Sequence, residues 1–516
     1  MNPGTLEIKS TDLAGRIGVF ETKTSKFETP ALLPVIHPVR QLVPCREIRS
    51  MGYEVVMTNA YTTFKRLRDR AGEGIHRLID FEGSVMTDSG GYQVLEFGSV
   101  EIDALGMAHF QEQIGSDIAI ILDKPTGMGV TKAYARKTVL ETLDSAKKTK
   151  ENITRQDIVW TLPIQGGSYL DLVKKSAMES ARMNYGCYAL GSPVEVMEEY
   201  DFPLLVQMIS SSKKWLREDR PFHLFGAGHP LILPLAIALG CDMFDSASYM
   251  LYAQNDRYIS STLTQRLEKL EFLPCVCAVC SKMTARELKS MAKQDRMLIL
   301  ARHNLFALKQ IIEETKQAIW EGRLWEYVRV KCSAHPQAFE AYKIAMHSEI
   351  EFLDAGTPEL KDKGIFVFDE TDLARPEIRR HFSKIKNLDL SEKNRLVVVP
   401  EPKTKPFLTS EIFSQILKLT DQKTTLVCCT SKILGLLPTE ISDIFPASQI
   451  TTSLEQIHSS DYILSKKWKR VDLLAKPGDE LSNKTARIIR ERFGKRSTKL
   501  VVSSTFQSFK KKLAQV

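Results

Sequence analysis

Short apolar runs alternate with amphipathic stretches through the first half of this 516-residue chain. The runs are apolar along their whole length, which is typical of parallel strands that are covered on both faces. The stretches between them, such as KAYARKTVLETLDSAKKTK, have the apolar spacing and the residue types of helices. Eight runs follow one another: PALLPVI from Pro30, EVVMTN from Glu54, SVMTDSGG from Ser84, DIAIILDKP from Asp117, DIVWTLPIQGG from Asp157, GCYALGS from Gly186, FHLFGAG from Phe222 and CDMFDSAS from Cys241.

Eight β–α repeats predict an α/β fold with the architecture of a TIM (β/α)8 barrel. A doubly wound open sheet is the alternative. No G-x-G-x-x-G motif follows an early strand, which argues against a dinucleotide-binding Rossmann domain. We predict that residues 1–345 form the barrel and that a zinc-binding subdomain occupies about 270–345.

The pattern changes after about residue 345. The segment GTPELKDKG, from Gly356, has the turn-forming and charged residues of a linker. Strand-like runs with helices between them then indicate small α/β or α+β modules, which we assign to residues 346–450 and 451–516. These runs are GIFVFDE, RLVVVPEP, TTLVCCTSK and LVVSSTF.

The charge and the cysteines narrow the class of protein. A formal net charge of +8 suits a polyanionic partner. The basic clusters SKKWKR, RIIRERFGKR and SFKKKL either contact the phosphates of such a partner or form a solvated face. No apolar run is long enough to cross a bilayer and the N-terminus carries no export signal, so we expect a cytoplasmic protein without a membrane partner. The nine cysteines show no disulfide framework.

Three of the cysteines fall within six residues, in the segment PCVCAVC. In a reducing compartment, the spacing of Cys275, Cys277 and Cys280 is typical of a metal site, and His303 is the nearest suitable fourth ligand downstream. The alternative is that His303 is an ordinary polar helix residue and that the thiols are small core residues. A Cys3His set leaves no open coordination position, so we predict one structural Zn²⁺ per chain.

Polar residues gather where the predicted strands end. Because the carboxyl ends of barrel strands meet at one face, these residues should surround one mouth. An acid at a strand end is also a common helix N-cap, which is the alternative for each carboxylate taken alone. Two acids that face one substrate can act as nucleophile and general acid/base, and a third acid beside an amide suits the edge of a planar ligand. The residues are Asp88 to Gly91, Asp123, Gln165 to Gly167, Gly191 and Ser192, Gly226 to His229, and Asp245 with Ser246.

The motifs TDSGGYQVLEFG, PIQGG, HLFGAGHP, GCDMFDSASYMLYAQNDRY and PCVCAVC, in this order, resemble those of the tRNA-guanine transglycosylases. The fourth motif and the long C-terminal extension resemble the archaeal type. The resemblance implies a zinc-bearing TIM barrel, a pentosyltransferase that exchanges guanine in tRNA for a free 7-deazaguanine. In the archaeal type the incoming base is 7-cyano-7-deazaguanine (preQ0), the target is position 15 of the D-arm, and the product leads to archaeosine.

The resemblance also implies a role for individual residues. Asp245 matches the nucleophile that forms a covalent bond to ribose C1′, and Asp88 matches the general acid/base. Tyr92 and Phe225 match the residues that sandwich the base. The substrate-binding set is Asp123, Gln165, Gly191, Ser89, Tyr92 and Phe225, and the zinc ligands are Cys275, Cys277, Cys280 and His303.

Some points stay open at the level of sequence. Ser192 stands where the family often has a second glycine, and Glu195 and Met197 lie near the region that selects the incoming base, so a different 7-deazaguanine is an alternative substrate. A non-catalytic tRNA-binding paralogue is the alternative function. The resemblance implies a homodimer. The archaeal family typically ends in a PUA domain, for which the chain has no room after its recognisable modules, so we expect either the basic tail or a separate PUA-containing protein to assist.

Overall fold

The computed structural model describes residues 4–91, 102–454, 461–494 and 498–515. These residues form two compact units, 1–357 and 358–516. The first unit therefore extends about one helix beyond the division that we placed at residue 345.

The first unit begins with a three-stranded antiparallel sheet: β1 (Leu6–Asp12), β2 (Gly15–Glu21) and β3 (Lys26–Thr29). Eight parallel strands follow, and the last pairs with the first, so the sheet is a closed barrel. This confirms the predicted TIM barrel and excludes the open sheet. Each predicted run contains one strand: β4 (Ala31–Ile36), β5 (Val55–Asn59), β6 (Ser84–Asp88), β7 (Ile118–Ile120), β8 (Val159–Ile164), β9 (Cys187–Leu190), β10 (Phe222–Leu224) and β11 (Met243–Ser246).

The small sheet covers the amino-terminal end of the barrel. Leu6, Phe20 and Phe27 are buried in one cluster with the first residues of several barrel strands, among them Val55 and Met243. Burying each of these side chains contributes roughly 1.5–3 kcal/mol. Because this end is packed with apolar groups, polar side chains at the carboxyl ends of the strands are left to form the opposite mouth.

Helices follow the strands around the barrel, and side-chain caps fix the starts of several of them. Asn59 accepts the Thr62 N–H at the start of one helix, and Thr131 accepts the Tyr134 N–H at the start of another. The helices are α1 (Cys45–Ser50), α2 (Ala60–Leu67), α3 (Ile75–Ile79), α4 (Ala104–Gln113), α5 (Lys132–Asn152), α6 (Leu170–Arg182), α7 (Val194–Glu198), α8 (Phe202–Lys213), α9 (Leu233–Ala238) and α10 (Ser248–Gln254).

The cysteine-rich loop lies between a hairpin and a long helix. The hairpin consists of β12 (Arg257–Ile259) and β13 (Thr264–Arg266). The 28-residue helix α12 carries a buried face that includes His303 and Asn304. The helices of this part are α11 (Ala285–Ser290), α12 (Lys293–Trp320), α13 (Leu324–Cys332), α14 (Pro336–Ser348) and α15 (Ile350–Gly356).

The second unit is an α/β module. A parallel pair joins β14 (Ile365–Val367) to β18 (Ile450–Thr452). A five-stranded sheet has the order β17 (Gly435–Pro438), β16 (Thr425–Ser431), β15 (Arg395–Val399), β19 (Arg470–Leu474) and β20 (Lys499–Ser503). The division that we placed at residue 450 runs through this sheet, because strands from both sides of it are hydrogen-bonded neighbours. The remaining elements are α16 (Pro376–Lys386), α17 (Glu411–Leu419), α18 (Asp461–Ser465), α19 (Glu480–Phe493) and α20 (Phe506–Leu513).

Among the helices of the described residues, none combines the length and apolar character that a membrane span requires.

Candidate active site and metal centre

A cavity of about 650 Å³ opens at the carboxyl ends of the barrel strands. This is where TIM barrels carry their functional residues. The polar residues at the predicted strand ends therefore meet at this face of the fold. Six of the residues predicted for the site line this cavity: Asp88, Asp123, Gln165, Gly191, Phe225 and Asp245.

Asp88 is the last residue of β6 and is held by its neighbour strand. Asn59, at the end of β5, donates through Nδ2 to Asp88 Oδ2 at 2.7 Å, while its Oδ1 accepts the Thr62 N–H. One side chain thus caps α2 and orients the carboxylate. Burial raises the pKa of Asp88 to about 6, the negative charge of Asp245 adds to the rise, and hydrogen bonds from the Gly90 N–H and Asn59 oppose it.

Asp245 stands near the end of β11, opposite a fully buried histidine of the adjacent strand. Asp245 Oδ1 lies 2.8 Å from His223 Nε2 and accepts the Gly226 N–H at 3.0 Å. His223 Nδ1 is buried and has no hydrogen-bond partner among the described residues. Because the carboxylate is the acceptor that Nε2 faces, the neutral imidazole with its proton on Nε2 satisfies the pair. Both recorded bonds engage the same carboxylate oxygen.

Asp123 and Gln165 form a second polar pair in the cavity wall. Gln165 donates through Nε2 to Asp123 Oδ2 at 2.6 Å. Gln165 Oε1 accepts from the Thr126 N–H, the Thr126 hydroxyl and the Ser192 hydroxyl, each at 3.0 Å. The amide is therefore fixed in one orientation. Burial raises the pKa of Asp123 to about 7, the charge of Asp88 adds to the rise, and the Gln165 hydrogen bond opposes it.

Ser192 has the left-handed backbone conformation that a glycine usually adopts. Its φ is +58°, in the left-handed region that favours glycine. Its hydroxyl accepts the Thr126 N–H and donates to Gln165, which fixes the turn through side-chain bonds. Gly191 beside it has no room for a side chain, because a Cβ there would collide with the Gln165 amide.

Ser89 is the member of the predicted substrate-binding set that, among the described residues, does not line the cavity. Ser89 is fully buried, and its hydroxyl donates to the Ile121 carbonyl at 3.0 Å, so its side chain points into the protein instead of lining the cavity. The side chain of Ser89 is therefore not placed to bind a ligand in the cavity, because Asp88 faces the mouth and the next side chain of an extended backbone points to the opposite side. Tyr92 lies outside the described residues.

The segment that follows β9, with helix α7, forms another part of the cavity wall. Glu195 and Met197, which we placed near the incoming base, line the cavity. The Glu195 carboxylate accepts the Met128 N–H at 2.5 Å, which ties α7 to the loop after β7. Phe225 also lines the cavity, and its ring centroid lies 5.1 Å from that of His223.

The predicted metal ligands meet in space. One ligand atom from each of Cys275, Cys277, Cys280 and His303 lies within 4.8 Å of the others. His303 Nδ1 is 3.3 Å from Cys280 Sγ and 3.7 Å from Cys277 Sγ. Bond lengths of about 2.3 Å to sulfur and about 2.0 Å to nitrogen would separate tetrahedral ligands by roughly 3.5–3.8 Å. The cluster can therefore hold a metal ion.

The neighbours of His303 fix the nitrogen that faces the thiols. His303 Nε2 lies 2.8 Å from the Ile259 carbonyl oxygen, so Nε2 donates and Nδ1 is left as the ligand atom. The Tyr258 ring stacks on the imidazole with centroids 3.6 Å apart, and the Tyr258 hydroxyl is 3.4 Å from Cys280 Sγ. These contacts are of the kind that orients a metal-binding histidine.

The sequence pattern missed His223 and Asn59, which hold two of the carboxylates. A histidine within the otherwise apolar run FHLFGAG is the signal for the first. No local signal identifies Asn59, because its position reads equally well as an ordinary N-cap.

Three carboxylates and the Gln165 amide surround the mouth of the barrel, and a Cys3His cluster that can hold a metal ion belongs to the same unit. This combination defines the class of TIM-barrel enzymes with a candidate metal centre. Residues 11–337 match the family described as TGT, queuine tRNA-ribosyltransferase. The chain belongs to this family, which confirms the resemblance.

Several curated proteins with the name tRNA-guanine(15) transglycosylase are similar to the chain. The protein of Sulfolobus acidocaldarius is 38% identical over 413 residues, 79% of this chain and 82% of the relative. That of Saccharolobus solfataricus is 40% identical over 453 residues, 86% and 89% of the two chains. That of Pyrococcus furiosus is 42% identical over 377 residues, 72% of this chain and 64% of the relative.

Proposed function

We propose that this protein is a tRNA-guanine transglycosylase that exchanges guanine at position 15 of the D-arm for 7-cyano-7-deazaguanine, a step toward archaeosine. The observation that carries the proposal is the presence of Asp88, Asp245 and the Asp123–Gln165 pair around one cavity of a chain that belongs to this family. The names of its relatives support the position in the tRNA.

Asp245 acts as the nucleophile. Its carboxylate attacks ribose C1′ as the glycosidic bond to guanine N9 breaks, and the ribose is then held on the enzyme as an ester. The donors His223 and Gly226 both engage Oδ1, and no hydrogen bond to Oδ2 is recorded among the described residues. Oδ2 is therefore the oxygen available to the sugar.

Asp88 handles the proton of the base. In the first half of the exchange it gives a proton to the departing guanine, and in the second half it takes the N9 proton of the incoming base, which then displaces Asp245 from C1′. A carboxyl whose pKa is raised to about 6 can perform both transfers near neutral pH.

Asp123 and Gln165 bind the edge of the guanine or the 7-deazaguanine. The carboxylate of Asp123 can accept from the ring N–H and the exocyclic amino group, and the fixed Gln165 amide keeps it in place. Gly191 contributes its carbonyl, since its N–H is bonded to the Ile164 carbonyl. Phe225 packs against the flat face of the base, and Tyr92 is its expected partner on the other face.

The metal centre binds Zn²⁺ in a structural role. Three thiolates and one imidazole are the donors that zinc prefers, and four protein ligands complete its tetrahedral shell. The zinc stabilises the loop that packs between the β12–β13 hairpin and α12. A homodimer, implied by the resemblance, is part of this proposal and is tested by sedimentation equilibrium.

Exchange of labelled guanine into tRNA, followed by its displacement with 7-cyano-7-deazaguanine, tests the proposal. Incorporation at position 15, lost in a transcript with adenine there, is the expected result. A protein that binds tRNA without any exchange would instead be the non-catalytic paralogue. Displacement by another 7-deazaguanine in preference to the cyano compound would revise only the incoming base.

A further inference from the structure

The turn at the end of α7 holds a tyrosine in a backbone conformation that favours glycine. Tyr200 has φ of +59°. Its N–H bonds to the Met197 carbonyl at 3.2 Å, and the Asp201 N–H bonds to the Val196 carbonyl at 3.0 Å. This is the hydrogen-bond pattern of a Schellman cap, whose left-handed position is usually glycine. A side chain in this position carries a local conformational cost.

The Tyr200 ring is part of the cavity wall. It lines the same cavity as the catalytic carboxylates and is 37% exposed. Its centroid lies 5.2 Å from that of the His335 ring and 5.8 Å from that of the His229 ring. Packed against these rings and still accessible, Tyr200 presents a flat surface at the mouth. Tyr252 and the exposed Leu251 also line the cavity, and we call these two residues together with Tyr200 the rim.

A basic cleft of about 830 Å³ adjoins the rim and shares Leu251 and Tyr252 with it. Within the cleft, Arg257 and Arg266 are direct partners across the antiparallel β12–β13 pair. Like charges in directly opposite positions destabilise a strand pair, whereas an anion between them would reverse the effect. The cleft is lined by four basic residues and two acidic ones: Arg257, Arg266, Lys289 and Arg296, and Asp256 and Glu268.

The nearby carboxylates leave this arginine pair without a strong counter-charge. Asp256 is occupied by Arg296, which holds both of its oxygens at 2.7 and 2.9 Å. Glu268 reaches Arg266 only at 3.7 Å, and both side chains are about two-thirds exposed. Exposed pairs of this kind contribute little. The cleft therefore keeps a net positive charge beside the rim.

We propose that the rim and the cleft together form a binding track for the unpaired RNA strand next to the exchanged nucleotide. The neighbouring nucleobase stacks on Tyr200, and its phosphate lies between Arg257 and Arg266. This inference rests on the proposed function, because a guanosine whose C1′ must reach the cavity has to leave its stack, which exposes the adjacent base. Aromatic platforms beside basic grooves are the usual way in which proteins bind single strands.

The stacking half is tested by a double-mutant cycle between protein and RNA. Tyr200→Gly, Tyr200→Leu and Tyr200→Phe are compared on a tRNA transcript and on transcripts with an abasic site on either side of the exchanged guanine. We expect Tyr200→Gly to keep or raise the melting temperature and to lower kcat/KM for tRNA about 5- to 150-fold, with Tyr200→Phe close to wild type. On the transcript that lacks the stacked base, Tyr200→Leu and the wild-type protein should have the same kcat/KM.

The phosphate half is tested by Arg266→Ala and Arg266→Glu, with Lys148→Ala on the exposed side of α5 as the charge control. Arg266→Ala should reduce the slope of log affinity for tRNA against log salt by about 0.7 to 1, without loss of melting temperature. Arg266→Glu should raise the melting temperature, because it pairs with Arg257, and weaken tRNA binding further. Lys148→Ala should leave the slope unchanged.

Three results would overturn this inference. One is a Tyr200→Leu effect of equal size on all transcripts, and another is an Arg266→Ala slope equal to that of wild type. The third is a rise in KM for the free base with unchanged KM for tRNA, which would assign Tyr200 to the base pocket. If the wild-type protein exchanges guanine, these results refute the binding track and leave the proposed function intact. Absence of exchange by the wild-type protein is failure of the proposed function itself.

Discussion

Substitution of Asp123 by Asn should stabilise the barrel unit at alkaline pH while impairing exchange. Asn preserves the shape of the side chain and an oxygen that can accept the hydrogen bond from Gln165. It removes the negative charge that burial and the charge of Asp88 make unfavourable. The ionised Asp123 carboxylate thus suits a ligand in the cavity but lowers the stability of the fold.

The magnitude follows from the pKa of Asp123, which is raised from 3.8 to about 7 in the folded protein. Each pKa unit corresponds to about 1.4 kcal/mol, so the full cost of ionisation is about 4 kcal/mol. Because Asp123 is only partly buried at an open cavity, solvent screening reduces this cost to about 2–4 kcal/mol. Below pH 3.8 the carboxyl is protonated in both states and costs nothing. As the pH rises, the unfolded state ionises first, and the free energy of unfolding falls until the pH exceeds about 7.

The assay is guanidinium unfolding of wild type and Asp123→Asn at pH 5 and pH 8.5, followed by tryptophan fluorescence. Four of the five tryptophans belong to the barrel unit, so the signal reports mainly on it. The variant should gain about 2–4 kcal/mol over wild type at pH 8.5 and less than half of that at pH 5. Asp69→Asn, at an almost fully exposed side chain, is the matched control and should show no difference. An Asp123→Asn variant that is no more stable than wild type at pH 8.5, or a gain that is independent of pH, would refute the reasoning.

Three further predictions address the carboxylates and the metal. Asp88→Asn should bind tRNA with wild-type affinity and exchange guanine about 10²–10⁴-fold more slowly; a loss of binding instead of rate would contradict its role in proton transfer. His223→Phe should lower kcat about 10- to 100-fold with unchanged KM for the free base, and His223→Gln, which keeps an N–H donor, should recover much of it; equal rates for the two variants would leave the hydrogen bond to Asp245 without a role. Cys277→Ser should lower the zinc content, near one per chain in wild type, together with the melting temperature, and a metal-free wild type of undiminished stability would exclude a structural zinc.

The barrel and the metal cluster were predictable because their signals are local and repeated. Strands that are buried on both faces must be apolar throughout, and a run such as DIVWTLPI is buried at every position of β8. Close cysteine spacing brings three donors together before any tertiary contact forms. His303 was predictable only as the nearest suitable ligand downstream. Helix α12 places its imidazole beside the three thiols, which confirms that it belongs to the cluster.

The side-chain geometry of the site depends on contacts between strands, which the sequence alone does not specify. Ser89 directly follows β6, and its side chain faces away from the cavity because successive side chains of an extended backbone point to opposite sides, which was open to prediction. By contrast, the bond from Asn59 to Asp88 joins neighbouring strands, and the partnership of His223 with Asp245 depends on the register of β10 and β11. The glycine-like backbone of Ser192 depends on hydroxyl contacts to the loop after β7. In the second unit, strands more than 50 residues apart share one sheet, which no local run reveals.

Trapping of the covalent intermediate tests the central claim, that Asp245 attacks the ribose of a tRNA guanosine. The wild-type protein is incubated with tRNA in the absence of an incoming base, denatured, digested with nuclease and analysed by peptide mass spectrometry. We expect a ribose-linked peptide whose modification lies on Asp245. The modified peptide should form more slowly in Asp88→Asn and should be absent in Asp245→Asn. A ribosylated peptide in the Asp245→Asn protein, or guanine exchange by that protein at the wild-type rate, would contradict it.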